Sequence, residues 1–138
     1  MGKTNLDGIG DELDVTAIKV NGVVLTTANA VSGDETQIAS ASGAITIPAG
    51  MRKTVFITNL GIAALTLANP VATTDDGKEL LIVSESAYAH TVTENTTAFA
   101  PGGHKIGTFS AVVGDKIRLM AFNAVWYIIE NVGVVLSG

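Results

Sequence analysis

The sequence predicts an all-β fold, a single-domain antiparallel β-sandwich or barrel-like structure behind a short extended N-terminal arm. Three observations predict it. Short runs rich in Val, Ile and Thr are punctuated by turn residues about every 8–12 positions. Within the runs, apolar and polar side chains alternate, as in Lys116-Ile-Arg-Leu-Met-Ala-Phe122, where Ile117, Leu119 and Ala121 share one face. No segment sustains a 3.6-residue apolar period between helix caps.

In chain order, residues 1–14 are polar, glycine-punctuated and aperiodic, and are expected to form an arm. Its residues Lys3, Thr4, Asn5, Leu6, Ile9 and Leu13 are the candidate contacts, the last three as apolar anchors. The β domain is expected to span residues 15–138. Val15–Val20 and Val23–Thr27 flank Asn21-Gly22, a pair suited to a two-residue hairpin turn because both central positions need positive φ. The Ser/Ala/Gly stretch from Asn29 to Ser42 reads as loop. Strands are then expected at Ala44–Ile47, Lys53–Asn59, Ala64–Ala68, Leu80–Ser84, His90–Thr93, Ile106–Ser110, Lys116–Phe122, Val125–Glu130 and Val132–Leu136. Pro48-Ala-Gly50, Asn69-Pro70, Asp75-Asp-Gly77, Pro101-Gly-Gly103, Gly114-Asp115 and Asn123-Ala124 separate them.

The 138 residues are 47% hydrophobic and only 15% charged, with a mean hydropathy of +0.42. Ordinary soluble domains carry roughly 25% charge. No run reaches the ~18 apolar residues of a membrane helix, so no membrane partner is expected. The apolar excess is instead expected to be hidden against copies of the same chain. One strand carries that argument. In Val125-Trp-Tyr-Ile-Ile129, Trp126 and Ile128 occupy one face while Val125, Tyr127 and Ile129 make the other face apolar too. Phe56 raises the same question in Val55-Phe-Ile57. Phe56, Val125, Tyr127 and Ile129 are therefore the candidate subunit-interface residues.

The net charge of −5 argues against nucleic acid as a partner, because nothing gathers phosphates. With no Cys, the chain has no disulfides, thiolate nucleophile or cysteine-ligated zinc. His90 and His104 lack a third ligand at metal-site spacing and read as surface or turn residues. Asp75 and Asp76 precede Gly77, while Asp34 and Asp115 follow Gly33 and Gly114; in such turns Asp caps its own backbone. Gly8-Ile-Gly10 is half a dinucleotide fingerprint without its preceding strand. No catalytic group, metal site or cofactor is expected, and the protein is read as no enzyme.

Several phrases occur in a fixed order: Gly43-Ala-Ile-Thr-Ile-Pro-Ala-Gly50, Ala64-Leu-Thr-Leu-Ala-Asn-Pro70, Asp75-Asp-Gly-Lys-Glu-Leu-Leu-Ile82 and His90-Thr-Val-Thr93. Gly114-Asp-Lys-Ile-Arg-Leu-Met-Ala-Phe-Asn123 and Val125-Trp-Tyr-Ile128 follow, and Lys3-Thr-Asn-Leu-Asp7 opens the chain. Together they resemble the β domains of tailed-phage virion proteins: small capsid decoration (cement) proteins, head fibres and the knobs of some fibres. The resemblance spans residues 43–138 and the first few residues. It implies a homotrimer, made in the host cytoplasm, that binds the major capsid protein on the exterior of the virion and stabilises the shell. The alternative it implies is a trimeric receptor- or glycan-binding knob of a fibre or baseplate. In that case loops Asn29–Ser42 or Asn95–His104 would carry recognition.

Overall fold

Val20 stands opposite Val23 in an antiparallel pair, β1 (Ile18–Val20) with β2 (Val23–Leu25), so two residues connect the strands as Asn21-Gly22 predicts. The computed structural model describes these six strand residues and residues 34–138; the candidate arm residues Lys3, Thr4, Asn5, Leu6, Ile9 and Leu13 lie outside the described residues. The hairpin falls in a unit that ends at Val31, and the rest of the fold is a second unit, Ser32–Gly138.

Among the described residues, the second unit contains ten strands. They are β3 (Glu35–Ala39), β4 (Gly43–Ile45), β5 (Arg52–Ile57), β6 (Ala64–Leu67), β7 (Glu79–Ser84), β8 (Thr91–Glu94), β9 (Ile106–Phe109), β10 (Lys116–Phe122), β11 (Val125–Val132) and β12 (Val134–Ser137). They form two open five-stranded sheets, sheet I in the order β11-β10-β7-β5-β3 and sheet II in the order β12-β9-β8-β6-β4. The structure is all-β and sandwich-like, and neither sheet closes into a barrel.

The sheets are mixed rather than purely antiparallel. β3, β5 and β7 run parallel, as do β4, β6 and β8, while β7-β10-β11 and β8-β9-β12 are antiparallel. The cause is the winding. From β3 to β8 the chain alternates between the sheets, so each return to a sheet runs in the same direction as the last. The β8–β9 and β10–β11 hairpins then reverse it.

Five segments cross between the sheets at one end of the sandwich: 40–42, 58–63, 85–90, 110–115 and Gly133. Gly133 does so in a single residue with φ +71°, a conformation L side chains rarely adopt. At the opposite end, Asn123 and Ala124 both have positive φ (49° and 63°), giving the tight β10–β11 turn the sequence predicts.

Strand alternation places the core. In β5, Val55 and Ile57 point inward and Phe56 outward; in β7, Leu80 and Ile82 point inward and Leu81 and Val83 outward. These side chains meet Ile45, Leu65, Leu67, Val92 and Phe109 of sheet II. Each such side chain contributes about 1.5–3 kcal/mol when fully buried. Trp126 is completely buried, and its indole N–H donates to Ala68 O at 2.9 Å.

One element departs from expectation. Residues 35–39, read as loop, form edge strand β3 in parallel register with β5. Its composition, Glu-Thr-Gln-Ile-Ala, carries too little apolar alternation to announce a strand, and pairing with β5 imposes the conformation.

Candidate functional site

The four interface candidates share the outer face of sheet I. Phe56 and Val125 are half-buried there, while Tyr127 and Ile129 are exposed. They do not form one contiguous cluster. β5 and β11 are three strand spacings apart, about 14 Å, and Leu81, Val83 and Met120 occupy the ground between. A β-bulge explains the prominence of Ile129. Arg118 pairs with Glu130 and Leu119 with Ile128, which leaves Ile129 as the extra residue, 53% exposed.

Across the same face runs a ladder of ion pairs. Arg52 Nε lies 3.2 Å from Glu79, Arg118 lies 4.0 Å from Glu79 and 3.5 Å from Glu130, and Lys116 Nζ lies 3.1 Å from Glu130. Arg52, Thr54, Glu79, Leu81 and Arg118 line a shallow open groove of about 220 Å³. Asp34 and Lys53 also line it, and Glu79 meets both of its guanidinium groups. The outer face of sheet II is different, a charge-free surface with rows such as Ala44–Thr66–Thr93–Ile106–Ser137.

The end where the chain crosses between sheets carries a second apolar surface that sequence reasoning missed. Leu60 and Ile62 in segment 58–63 are 86% and 65% exposed, and Val112 and Val113 in segment 110–115 are more than half exposed. Tyr88 stands between them on segment 85–90 and is also exposed. These residues look unremarkable in sequence because each occupies a short connection; only the winding gathers them.

Hydrogen bonds tie each connection to the next. Glu85 N donates to Ile57 O (2.9 Å), Gly114 N to Ser84 O (2.8 Å) and Ser110 N to Gly133 O (2.8 Å). Asp115, buried, accepts from Ser110 N (2.8 Å), Ser110 Oγ (2.7 Å) and Val112 N (3.3 Å).

His90, expected at the surface, is fully buried beneath this end. Burial is possible because both ring nitrogens are hydrogen-bonded. Ala63 N donates to Nδ1 at 3.1 Å, and Nε2 lies 2.9 Å from Ser86 Oγ. Ser86 Oγ donates its own proton to Asn59 O at 2.6 Å. The network therefore assigns the proton to Nε2, giving a neutral ring. Burial pushes the His90 pKa below 6.5, against a smaller opposing effect of the hydrogen bond with Ser86. Phe109 meets the ring edge-on at 6.3 Å. His104 is half-buried, and its backbone carbonyl accepts from Phe99 N in the β8–β9 connection.

Two further acids hydrogen-bond with the connections. Asp75 accepts from Val71 N (2.7 Å) and pairs with Lys78 Nζ (2.9 Å), and these contacts lower its pKa below 3.8. Glu94 is buried, with Oε2 accepting from Thr97 Oγ1 at 3.0 Å and Oε1 unpartnered. Among the described residues, no basic side chain pairs with it. Among the described residues, no three His, Asp or Glu side chains come together as metal ligands would. The arrangement is suited to surface recognition: two apolar surfaces on a rigid, hydrogen-bonded frame.

No family model matches the chain, and no curated protein matches it.

Proposed function

We propose that the protein is a non-catalytic virion protein, a capsid decoration (cement) protein that assembles as a homotrimer through the outer face of sheet I. In this role it stabilises a phage head by binding only the assembled shell. The observation that carries the proposal is the company Tyr127 and Ile129 keep. Both are exposed beside Met120 and Val132 on the edge pair β10–β11, an apolar surface on a face that also bears a charge ladder.

Such a mixture suits a contact between copies. Apolar side chains supply the area, and the ladder fixes register, because a wrong alignment brings like charges together. The apolar excess of the whole chain and its resemblance to decoration proteins support the same role. Nothing in the role requires chemistry, a cofactor, nucleic acid or a membrane.

Fractionating virions of the phage that encodes this chain tests the proposal. A decoration protein co-purifies with heads in many copies. Recovery with tails in few copies would contradict it and favour a fibre or baseplate knob.

A further inference from the structure

Proteins that bind through side chains on loops need those loops held still. Connections 58–63, 85–90 and 110–115 meet that need, being tied to one another through Ser86, Asn59 and buried His90 below and through the Gly114–Ser84 and Glu85–Ile57 backbone bonds. Above this polar girdle stand Leu60, Ile62, Tyr88, Val112 and Val113, all exposed. Segments 40–42, 58–63, 85–90, 110–114 and Gly133 contain no Lys or Arg, and their one exposed acid is Glu85.

We propose that this rim is the end by which the protein seats on the shell, entering an uncharged, apolar recess of the shell protein. The inference rests on the decoration role proposed above and names the surface that performs it. Charge selects the occupant. A rim with no cation and one carboxylate has nothing to attract anionic lipid or nucleic acid phosphates. Convex apolar tips on immobile loops fit a preformed protein recess, since little ordering entropy is lost on binding. The rim lies at the strand ends whereas the proposed self-contact lies on a sheet face, so both can be occupied together. A cyclic trimer with its axis along the strands would present three rims on one side, and three linked contacts bind far more tightly than one.

The test uses heads of the encoding phage stripped of this protein, and compares the wild-type chain with Leu60→Ser/Val113→Ser and Leu60→Asp/Val113→Asp. All these side chains are exposed, so native mass and melting temperature should stay at wild-type values; the serine pair remains usable if the aspartates perturb the fold. Head binding should weaken at least tenfold in both variants. Wild-type-like binding by the folded variants would overturn the rim assignment and leave the decoration role intact. Failure of the wild-type chain itself to bind stripped heads would overturn the decoration role, and the rim assignment with it. Co-sedimentation of the wild-type chain with phosphatidylcholine vesicles, lost in both variants, would assign the rim to lipid and also overturn the inference.

Discussion

Gly133 is packed against Asp115 so closely that a β-carbon at position 133 would overlap the Asp115 carboxylate. That carboxylate holds Ser110 and Val112, and Gly133 is the single residue by which β11 passes into β12. Gly133→Ala therefore combines positive-φ strain with displacement of a buried hydrogen-bonded acid. The expected loss is roughly 3 kcal/mol. Thermal unfolding followed through the sole tryptophan, buried Trp126, measures it. A change within 0.5 kcal/mol, about the effect of a neutral surface substitution, would show that the overlap relaxes freely.

His90 makes stability depend on pH in a defined window. Its folded-state pKa lies below 6.5, so at moderately acid pH the unfolded chain binds a proton that the folded chain refuses. Stability is complete above about pH 7 and falls as the pH drops through 6.5, at up to about 1.4 kcal/mol per pH unit. The loss stops at the folded-state pKa. Protonation would also place Nδ1–H against the Ala63 N–H, breaking an anchor of the 58–63 connection. Urea titrations between pH 7.5 and 5 should show the slope in the wild type and its disappearance in His90→Gln.

Asp75 acts in a lower window with its own sign. Hydrogen bonding from Val71 and Lys78 depresses its pKa below 3.8, so its stabilisation is present above about pH 5 and lost as pH falls through the folded value. Asp75→Asn should flatten stability below pH 4 and leave the His90 slope unchanged. An altered slope between pH 6.5 and 5 would mean the two groups are coupled.

Lys53 and Arg52 are neighbours with opposite consequences. Lys53 points inward, 8% exposed, and its Nζ donates to Thr46 Oγ1 (2.6 Å) and Thr46 O (3.1 Å), with Glu35 at 3.8 Å. Arg52 points outward, and its side chain is 66% exposed in its pair with Glu79. Lys53→Met removes the hydrogen bonds of a buried ammonium group and should cost about 2 kcal/mol. Arg52→Met should cost less than about 1 kcal/mol in the isolated subunit. Equal losses in chemical denaturation would contradict this division of inner and outer faces.

Much of this was legible in the sequence where alternation is strong. β10 has the bounds its pattern predicts, and Trp126 and Ile128 lie on the opposite face of β11 from Tyr127. Parallel pairing was not legible, because alternation gives the face of a strand but not the direction of its neighbour. Edge strand β3 stayed hidden for want of apolar residues. His90 could not be read as buried, since its partners Ala63, Ser86 and, through Ser86, Asn59 lie up to 31 positions away. The apolar rim was equally obscure: Leu60 and Val113, 53 positions apart, belong to connections that only the crossing pattern assembles.

The native mass of the purified chain at micromolar concentration bears most directly on assembly through sheet I. Sedimentation should give three times the 14.1 kDa chain mass, and Tyr127→Asp/Ile129→Asp should reduce it to one chain without lowering helix-free β content by circular dichroism. A wild-type protein that sediments as a stable monomer would contradict the assembly on which the proposed function depends.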